Sequence, residues 1–194
     1  MWLAGLLLLN GMEKWYDLDE AARQLLLVEC TGGSDAFVKY YVKGTKGWRL
    51  RGRGTAFVGK NGVRKTCEGD AKTPLGTLQP LRAFGIQADP GTKLPYLRVV
   101  QGTVACDEQG PFYNRIVENA PAALGGERMW ELSPEYDYGL ETDYNEAGLW
   151  PLGSAIFIHC KGAKAWTGGC VALDKTLMKK ILRTADGGLR ILIR

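Results

Sequence analysis

One stretch of the sequence, HCKGAKAWTGGCVALD, brings a histidine and a cysteine together across a glycine-rich segment. His159 is the only histidine of the chain, and Cys170 follows after a segment long enough to fold back. Thiolate is the nucleophilic form of cysteine, and a neighbouring imidazole and a nearby helix start both favour it. Gly168 and Gly169 carry no side chains, so the N–H groups of residues 168–170 can converge on a developing oxyanion. The pattern predicts a cysteine nucleophile with a histidine base; an inert buried cysteine beside a turn is the alternative.

The residues before this stretch indicate which sulfur faces the histidine. The segment GSAIFIHC, residues 153–160, has the composition of a strand, in which successive side chains point to opposite faces. His159 then shares a face with Phe157, and Cys160 points to the other. A structural zinc site needs four nitrogen or sulfur ligands, and this alternation leaves only His159 and Cys170 together. No metal site is expected. Neither a P-loop nor a dinucleotide fingerprint occurs in the sequence, so no cofactor is expected either.

A serine hydrolase is another alternative for the same histidine. His159 could serve Ser133 or Ser154 as a general base. The G-x-S-x-G elbow that exposes the nucleophile of α/β-hydrolases does not occur in the sequence. The cysteine nucleophile is therefore the preferred interpretation.

The rest of the sequence predicts strands that would hold this stretch in place. RQLLLVEC is an apolar run typical of a buried strand, and AFVKYYVKG after the turn GGSD is its hairpin partner. Residues 51–62 continue the meander, residues 94–100 add a strand, and LRILIR closes the chain with another. Residues 107–150 show weak periodicity and predict loops and short helices. Strands dominate, which predicts a mainly β domain with a few short helices and mostly antiparallel pairing.

One helix is predicted after the cysteine. The segment LDKTLMKKILR places its apolar side chains on one helix face, and these are Leu177, Met178, Ile181 and Leu182. Asp174 stands where an N-cap residue is expected, and ADGG ends the helix. Cys170 is therefore predicted to lie on a turn that leads toward a helix.

Composition limits the class of protein. The 194 residues suit one domain, and the 26 glycines indicate many turns. The formal net charge of +4 fits an anionic partner such as a cell-wall polymer, but it is too small to indicate nucleic-acid binding. The five cysteines are an odd number, so at least one thiol is unpaired in a monomer. One disulfide bond, between Cys67 and Cys106, is compatible with the sequence.

The first residues form a segment of their own. The apolar run from Trp2 to Leu9 is far shorter than the ~20 residues of a membrane span. It is a poor signal peptide, because no basic residue precedes it and no small-x-small cleavage site follows. Residues 1–22 are predicted to form an N-terminal helix or arm, with a truncated export signal as the alternative, and residues 23–194 form the domain.

Four motifs in this order resemble the L,D-transpeptidase catalytic domain, the YkuD-like family. IFIH followed by TGGCVAL is similar to the family's histidine and Ser/Thr-x-Gly-Cys signature. EGDAKTPLGTLQPLRAFG resembles its Gly-Asp-x-Lys-Thr-Pro-x-Gly segment, ACDEQGPFYNRIV its Asp and Tyr-Asn segment, and GSAIFIH the strand that carries the base. The likeness spans roughly residues 23–194. It implies a β-sandwich-like domain of an exported bacterial enzyme, periplasmic or secreted, that acts on peptidoglycan stem peptides.

The resemblance implies a role for each matching residue. Cys170 would be the nucleophile and His159 its base, with the backbone of Gly168, Gly169 and Cys170 as the oxyanion hole. The residues implied near the substrate are Thr167, which also shapes the turn, and Asp107, Tyr113 and Asn114. The implied reaction cleaves the bond between the diamino acid and D-Ala of a stem tetrapeptide. It then transfers the acyl group to an amine, which forms a 3→3 cross-link.

The chain also departs from the family pattern. Gly168 stands where many members have histidine, and Ala172 where they have asparagine or arginine. These differences leave the acceptor open among a stem-peptide amine, a protein lysine and water, the last giving an L,D-carboxypeptidase. A related cysteine hydrolase or amidase and a non-catalytic peptidoglycan-binding module are the further alternatives. We expect a monomer that binds stem peptides and has no nucleic-acid partner and no membrane span.

Overall fold

The computed structural model describes Tyr16 and residues 18–194. Most of the segment predicted as an N-terminal helix or arm lies outside these residues. Within its described end, Leu18 and Ala22 are buried in one apolar cluster with Trp48. This end of the segment therefore packs on the domain that follows it.

The described residues form thirteen strands and one α-helix. The strands are β1 (Gln24–Gly32), β2 (Asp35–Gly44), β3 (Gly47–Phe57), β4 (Gly76–Leu78), β5 (Pro80–Gly85), β6 (Tyr96–Arg98), β7 (Val104–Cys106), β8 (Arg115–Val117), β9 (Glu127–Arg128), β10 (Gly139–Thr142), β11 (Phe157–Cys160), β12 (Val171–Leu173) and β13 (Leu189–Ile193). The helix is α1 (Lys175–Leu182), and short 3-10 helices span Met129–Glu131 and Glu135–Asp137. None of the helices described is long and apolar enough to cross a bilayer. The prediction of a mainly β domain with a few short helices is confirmed.

Ten strands form one mixed sheet in the order β4-β13-β1-β2-β3-β12-β11-β10-β5-β6. Most neighbours are antiparallel, and the parallel pairs are β1 with β13, β11 with β12 and β5 with β6. Gln79 alone separates β4, at one edge, from β5, which lies next to the opposite edge. The two ends of the sheet must therefore approach each other, so the sheet curves round its core in the manner of a sandwich.

The main apolar core lies inside this curved sheet. It includes Leu26, Val38, Ile158, Val171 and Met178, all fully buried, and α1 contributes the four apolar residues predicted for its inner face. Alternation along β11 and β12 directs the neighbouring side chains to the opposite face of these strands. There a second cluster forms that includes Phe157 and Cys170.

The strand predicted over residues 153–160 begins only at Phe157. Ala155 has φ +49°, a left-handed conformation that a strand cannot contain, so the residues before Phe157 form an irregular segment. The predicted alternation is found beyond that point. Ile158 and Cys160 belong to the main core, whereas Phe157 belongs to the second cluster.

Two other local predictions also differ from the structure. Residues 107–150 contain strands as well as loops and short helices, and β10 lies directly beside β11 in the sheet. The ring of Phe84 leaves no room for a side chain at the first residue of β10, Gly139, and a glycine gives no apolar signal in the sequence. Asp174 does occupy the N-cap position, but its carboxylate makes no capping hydrogen bond and lies 3.3 Å from the Lys161 ammonium.

Candidate active site

The parallel pairing of β11 and β12 brings Cys170 and His159 to one face. His159 lies opposite Ala172, and Ile158 lies opposite Val171, so Cys170 falls beside Phe157 at the start of the pair. The Phe157 N–H donates a hydrogen bond to the Cys170 sulfur (3.2 Å), which fixes that position. Cys170 and His159 are therefore diagonal neighbours on one face, and both line the same cleft.

The side chain of His159 is held in one tautomer. Its Nδ1–H donates to the backbone oxygen of Cys160 (2.8 Å), which leaves Nε2 with the lone pair. The ring also packs edge-to-face against Tyr136, with ring centroids 5.5 Å apart. Burial lowers the pKa of His159, so the imidazole is neutral at pH 7 and able to accept a proton.

The sulfur of Cys170 is held as a thiol in this structure. Its S–H donates to the backbone oxygen of Ala155 (3.0 Å), and no hydrogen bond joins it to His159 among the described residues. Burial raises the pKa of the Cys170 thiol to about 12, and the nearby carboxyl of Glu127 acts in the same direction. The helix start expected to favour a thiolate is not adjacent, because β12 lies between Cys170 and α1.

The turn before Cys170 is tied together by two threonine hydroxyls. Thr167 Oγ1 donates to the backbone oxygen of Cys170 (2.7 Å) and accepts the N–H of Gly169 (3.1 Å). The fully buried Thr73 donates to the same Cys170 oxygen (3.1 Å). The N–H of Gly169 is therefore engaged. The N–H groups of Gly168 and Cys170 have no hydrogen-bond partner in the part of the chain that the structure describes, which leaves these two for an oxyanion.

The motif EGDAKTPLG folds into a loop that supports this turn. Asp70 organises the loop by accepting hydrogen bonds from the backbone N–H groups of Thr66 (2.7 Å), Cys67 (3.2 Å) and Lys72 (3.0 Å). It also pairs with the almost fully buried ammonium of Lys65 (3.0 Å). These donors hold the pKa of the Asp70 carboxyl well below its usual range, against the opposing effect of burial. The loop in turn carries Thr73 to the carbonyl of Cys170.

Replacing Asp70 with asparagine should destabilise the fold by about 3 kcal/mol, because it leaves the buried Lys65 ammonium without its counter-charge. The folded-state pKa of Asp70 lies below the unfolded value of about 4, so its stabilisation is present above that pH and is lost as the pH falls through the folded-state value. Urea unfolding of wild type and D70N at pH 7 and pH 3 measures this. The difference in unfolding free energy between wild type and D70N should be smaller at pH 3 than at pH 7. Asp89→Asn, at an exposed turn aspartate that also accepts two backbone N–H groups, is the control with a smaller expected effect.

Cys170 and His159 line a cleft of about 380 Å³. Carboxylates form much of its wall, and these are Glu68, Asp107, Glu127 and Glu135. Lys164 and Trp166 also line it, and the Lys164 ammonium lies 4.8 Å from the Trp166 ring centroid. Glu127 accepts a hydrogen bond from the hydroxyl of Tyr136, the residue that also packs on His159, and burial raises the pKa of its carboxyl.

The residues implied near the substrate fall into two groups. Asp107 and Thr167 line the cleft, together with Cys170 and His159. Tyr113 and Asn114 do not belong to its lining. Tyr113 is buried and donates to the Glu68 carboxylate (2.6 Å), and the Asn114 side chain contacts backbone groups of two other segments, residues 144–145 and Ala155.

The states of the other cysteines, and of the two serines considered as nucleophiles, are clear in the structure. All five cysteines are free thiols, so Cys67 and Cys106 are not bridged. Ser154 donates to Glu68 (2.6 Å) and Ser133 to Asp137 (3.0 Å). Both serine hydroxyls are therefore engaged with carboxylates and not with His159.

Comparison with known proteins adds one distant likeness. No family model matches the chain, and no curated protein matches it. Among solved structures it is similar to Bd1075 of Bdellovibrio bacteriovorus, at 16% identity and a TM-score of 0.48 over 89% of this chain and 48% of that chain. The chain thus spans about half the length of that protein.

Several residues of the site carry no signal that sequence reasoning could use. Glu127 and Tyr136 lie in the aperiodic region, and only the fold brings them to the cleft that Cys170 and His159 line. Lys65 precedes a recognisable motif and Glu68 begins it, but nothing in the motif says that their side chains face a cleft. The same holds for Ala155, whose backbone oxygen accepts the hydrogen bond of the thiol.

Proposed function

We propose that the protein is a cysteine acyltransferase of the L,D-transpeptidase type that acts on peptidoglycan stem peptides. The observation that carries this proposal is the placement of Cys170 and His159 on one face of a parallel strand pair at the base of one cleft. The resemblance of four ordered motifs to that family supplies the substrate class. The neutral His159, with Nε2 free, supports its role as the base.

The proposed first half-reaction forms a thioester. The Cys170 thiol gives its proton to Nε2 of His159 as the sulfur attacks the carbonyl carbon of the diamino acid. The N–H groups of Gly168 and Cys170 stabilise the negative charge that develops on the carbonyl oxygen. The C–N bond to D-Ala then breaks, and the proton on His159 passes to the departing amine.

The second half-reaction releases the acyl group. An amine of another stem peptide attacks the thioester and forms the 3→3 cross-link, or water attacks and forms a tripeptide. His159 accepts the proton of the attacking group and returns it to the sulfur. Because the resting thiol and imidazole are both neutral, proton transfer accompanies attack and does not precede it as a stable ion pair.

The surroundings of the pair agree with this substrate class. Stem peptides of this kind carry an amine on the diamino acid, and Glu68 and Asp107 provide carboxylates on the cleft wall. The net charge of +4 suits an anionic cell-wall polymer. Since peptidoglycan lies outside the cytoplasm, we propose that the protein works in the periplasm or at the cell wall.

Incubation of the protein with a disaccharide-tetrapeptide, followed by mass spectrometry, tests the proposal. A cross-linked dimer with loss of D-Ala identifies transpeptidation, and a tripeptide monomer identifies the L,D-carboxypeptidase. Unchanged substrate, with protein that still binds the muropeptide, contradicts the acyltransferase and supports a binding module. Protein heated beyond its unfolding transition is the negative control.

A further inference from the structure

The strained residue nearest the nucleophile is Ala155. Its φ of +49° lies in the left-handed region, which an alanine adopts only when its surroundings enforce it. The conformation directs the Ala155 carbonyl to the Cys170 sulfur, whose S–H donates to it over 3.0 Å. Two residues later, the Phe157 N–H donates to the same sulfur over 3.2 Å. The sulfur is thus held between an acceptor and a donor of one short backbone segment.

The Asn114 side chain is hydrogen-bonded to the backbone of Ala155. Its Oδ1 accepts the Ala155 N–H (2.9 Å), and its amide nitrogen donates to the backbone oxygens of Tyr144 (2.9 Å) and Asn145 (2.7 Å). Both amide hydrogens and the amide oxygen are therefore used. The contacts join three segments that are distant in sequence, so the side chain is a fixed point to which the Ala155 peptide is attached.

We infer that Asn114 is a positioning residue for the nucleophile, holding Ala155 in the left-handed conformation in which its carbonyl accepts the proton of the Cys170 thiol. The inference rests on the proposed role of Cys170. Asn114 acts from behind the segment, because it does not line the cleft. It therefore determines where the sulfur lies and which group receives its hydrogen bond, and it does not contact substrate.

Other titratable groups near the sulfur also influence the pKa of Cys170, and a substitution of Asn114 does not remove any of them. They are the carboxyl of Glu127 on β9, the ammonium of Lys65 in the preceding loop, and the imidazole of His159 on β11. Loss of the Ala155 acceptor removes a hydrogen bond that favours the thiol form. A change at Asn114 should therefore make the sulfur easier to ionise while it loses its fixed position.

Asn114→Gly is the appropriate variant, since Asn114 itself has φ +60° and glycine adopts that angle without strain. Two readouts are needed. One is alkylation of Cys170 by iodoacetamide between pH 6 and 9.5, followed on its own peptide by mass spectrometry. The other is kcat and KM with the tetrapeptide. N114G should alkylate about three- to tenfold faster at pH 8, the effect of losing one hydrogen bond, while kcat falls about tenfold or more. Asn119→Gly, another asparagine at positive φ (+52°), is the matched control and should change neither.

Ala155→Gly provides the rescue. Glycine removes the steric cost of the left-handed angle, so N114G/A155G should recover kcat by about threefold or more and bring alkylation back toward wild type. Unchanged rates in N114G, or a parallel fall of both rates without rescue, overturn the inference. If N114G does not fold, the double variant must fold, and failure of both also overturns it. Alkylation needs no peptide, so a wild type inactive on muropeptides defeats the proposed function and leaves this test intact.

Discussion

Replacing Cys170 with alanine is expected to abolish release of D-Ala from the tetrapeptide, and His159→Ala to reduce it at least a thousandfold, roughly the upper range for loss of a general base. The reason is geometric. Cys170 carries the only sulfur of the described chain that lines the cleft, and His159 is its only imidazole. Mass spectrometry of the products measures both effects, and intact mass shows whether the thioester accumulates on wild type.

Cys160→Ala is the matched control for this pair. Cys160 stands next to His159 in β11 but points into the main core, where its S–H lies 3.5 Å from the backbone oxygen of Tyr138. The substitution should retain most of the activity and cost about 1–2 kcal/mol of stability through the small cavity that it leaves. Wild-type turnover by C170A, or loss of turnover in a folded C160A, would contradict the assignment.

Gly169→Ala should reduce turnover at least a hundredfold, roughly the effect of losing an oxyanion donor. Gly169 has φ +149°, and a Cβ there would lie 2.9 Å from the backbone oxygen of Lys72 and 3.0 Å from Cδ1 of Ile156. The Lys72 oxygen belongs to the loop that Asp70 organises and cannot move far. The turn must therefore shift and take the Cys170 N–H with it. Steady-state kinetics and a thermal melt separate this effect from unfolding.

Gly168→Ala gives the contrast one residue away. A Cβ at Gly168 meets nothing within 4 Å, so G168A should keep its activity within about threefold of wild type and leave stability unchanged. The same open space admits histidine, the residue that many members of the resembling family have here, and Gly168→His should also fold. Equal losses in G168A and G169A would show that the backbone of Gly169 has no special role.

The part of the fold that was predictable is the part with a strong local pattern. The β1–β2 hairpin, α1 and the terminal strand β13 follow from apolar periodicity and turn residues, which act within a few residues of the chain. Alternation along β11 also separates Cys160 from His159, as the sequence predicts. These features need no knowledge of distant partners.

The rest depends on contacts between residues far apart in sequence. Nothing near Ala155 indicates a left-handed angle, because Asn114 and the loop of residues 144–145 that holds Asn114 impose it. Tyr136 packs on His159, and Glu127 reaches Tyr136 from a second small sheet, β8-β7-β9, so both contacts depend on the complete fold. Likewise the protonated state of Cys170 results from burial, which a motif does not contain. The sequence thus indicated Cys170 and His159 as candidate residues, but it did not indicate the conformation of Ala155 or the protonation state of Cys170.

The order of strands has a consequence for biosynthesis. The hairpin strands β1–β3 are made first, yet β1 is covered by β13 and β3 by β12, both from residues 171–193. Until those residues leave the ribosome, the early meander exposes two edges to any other strand. Cys170, which directly precedes β12, enters its position in the same step that closes the edge of β3. A nascent chain should thus complete the candidate site only when its aggregation-prone edges disappear.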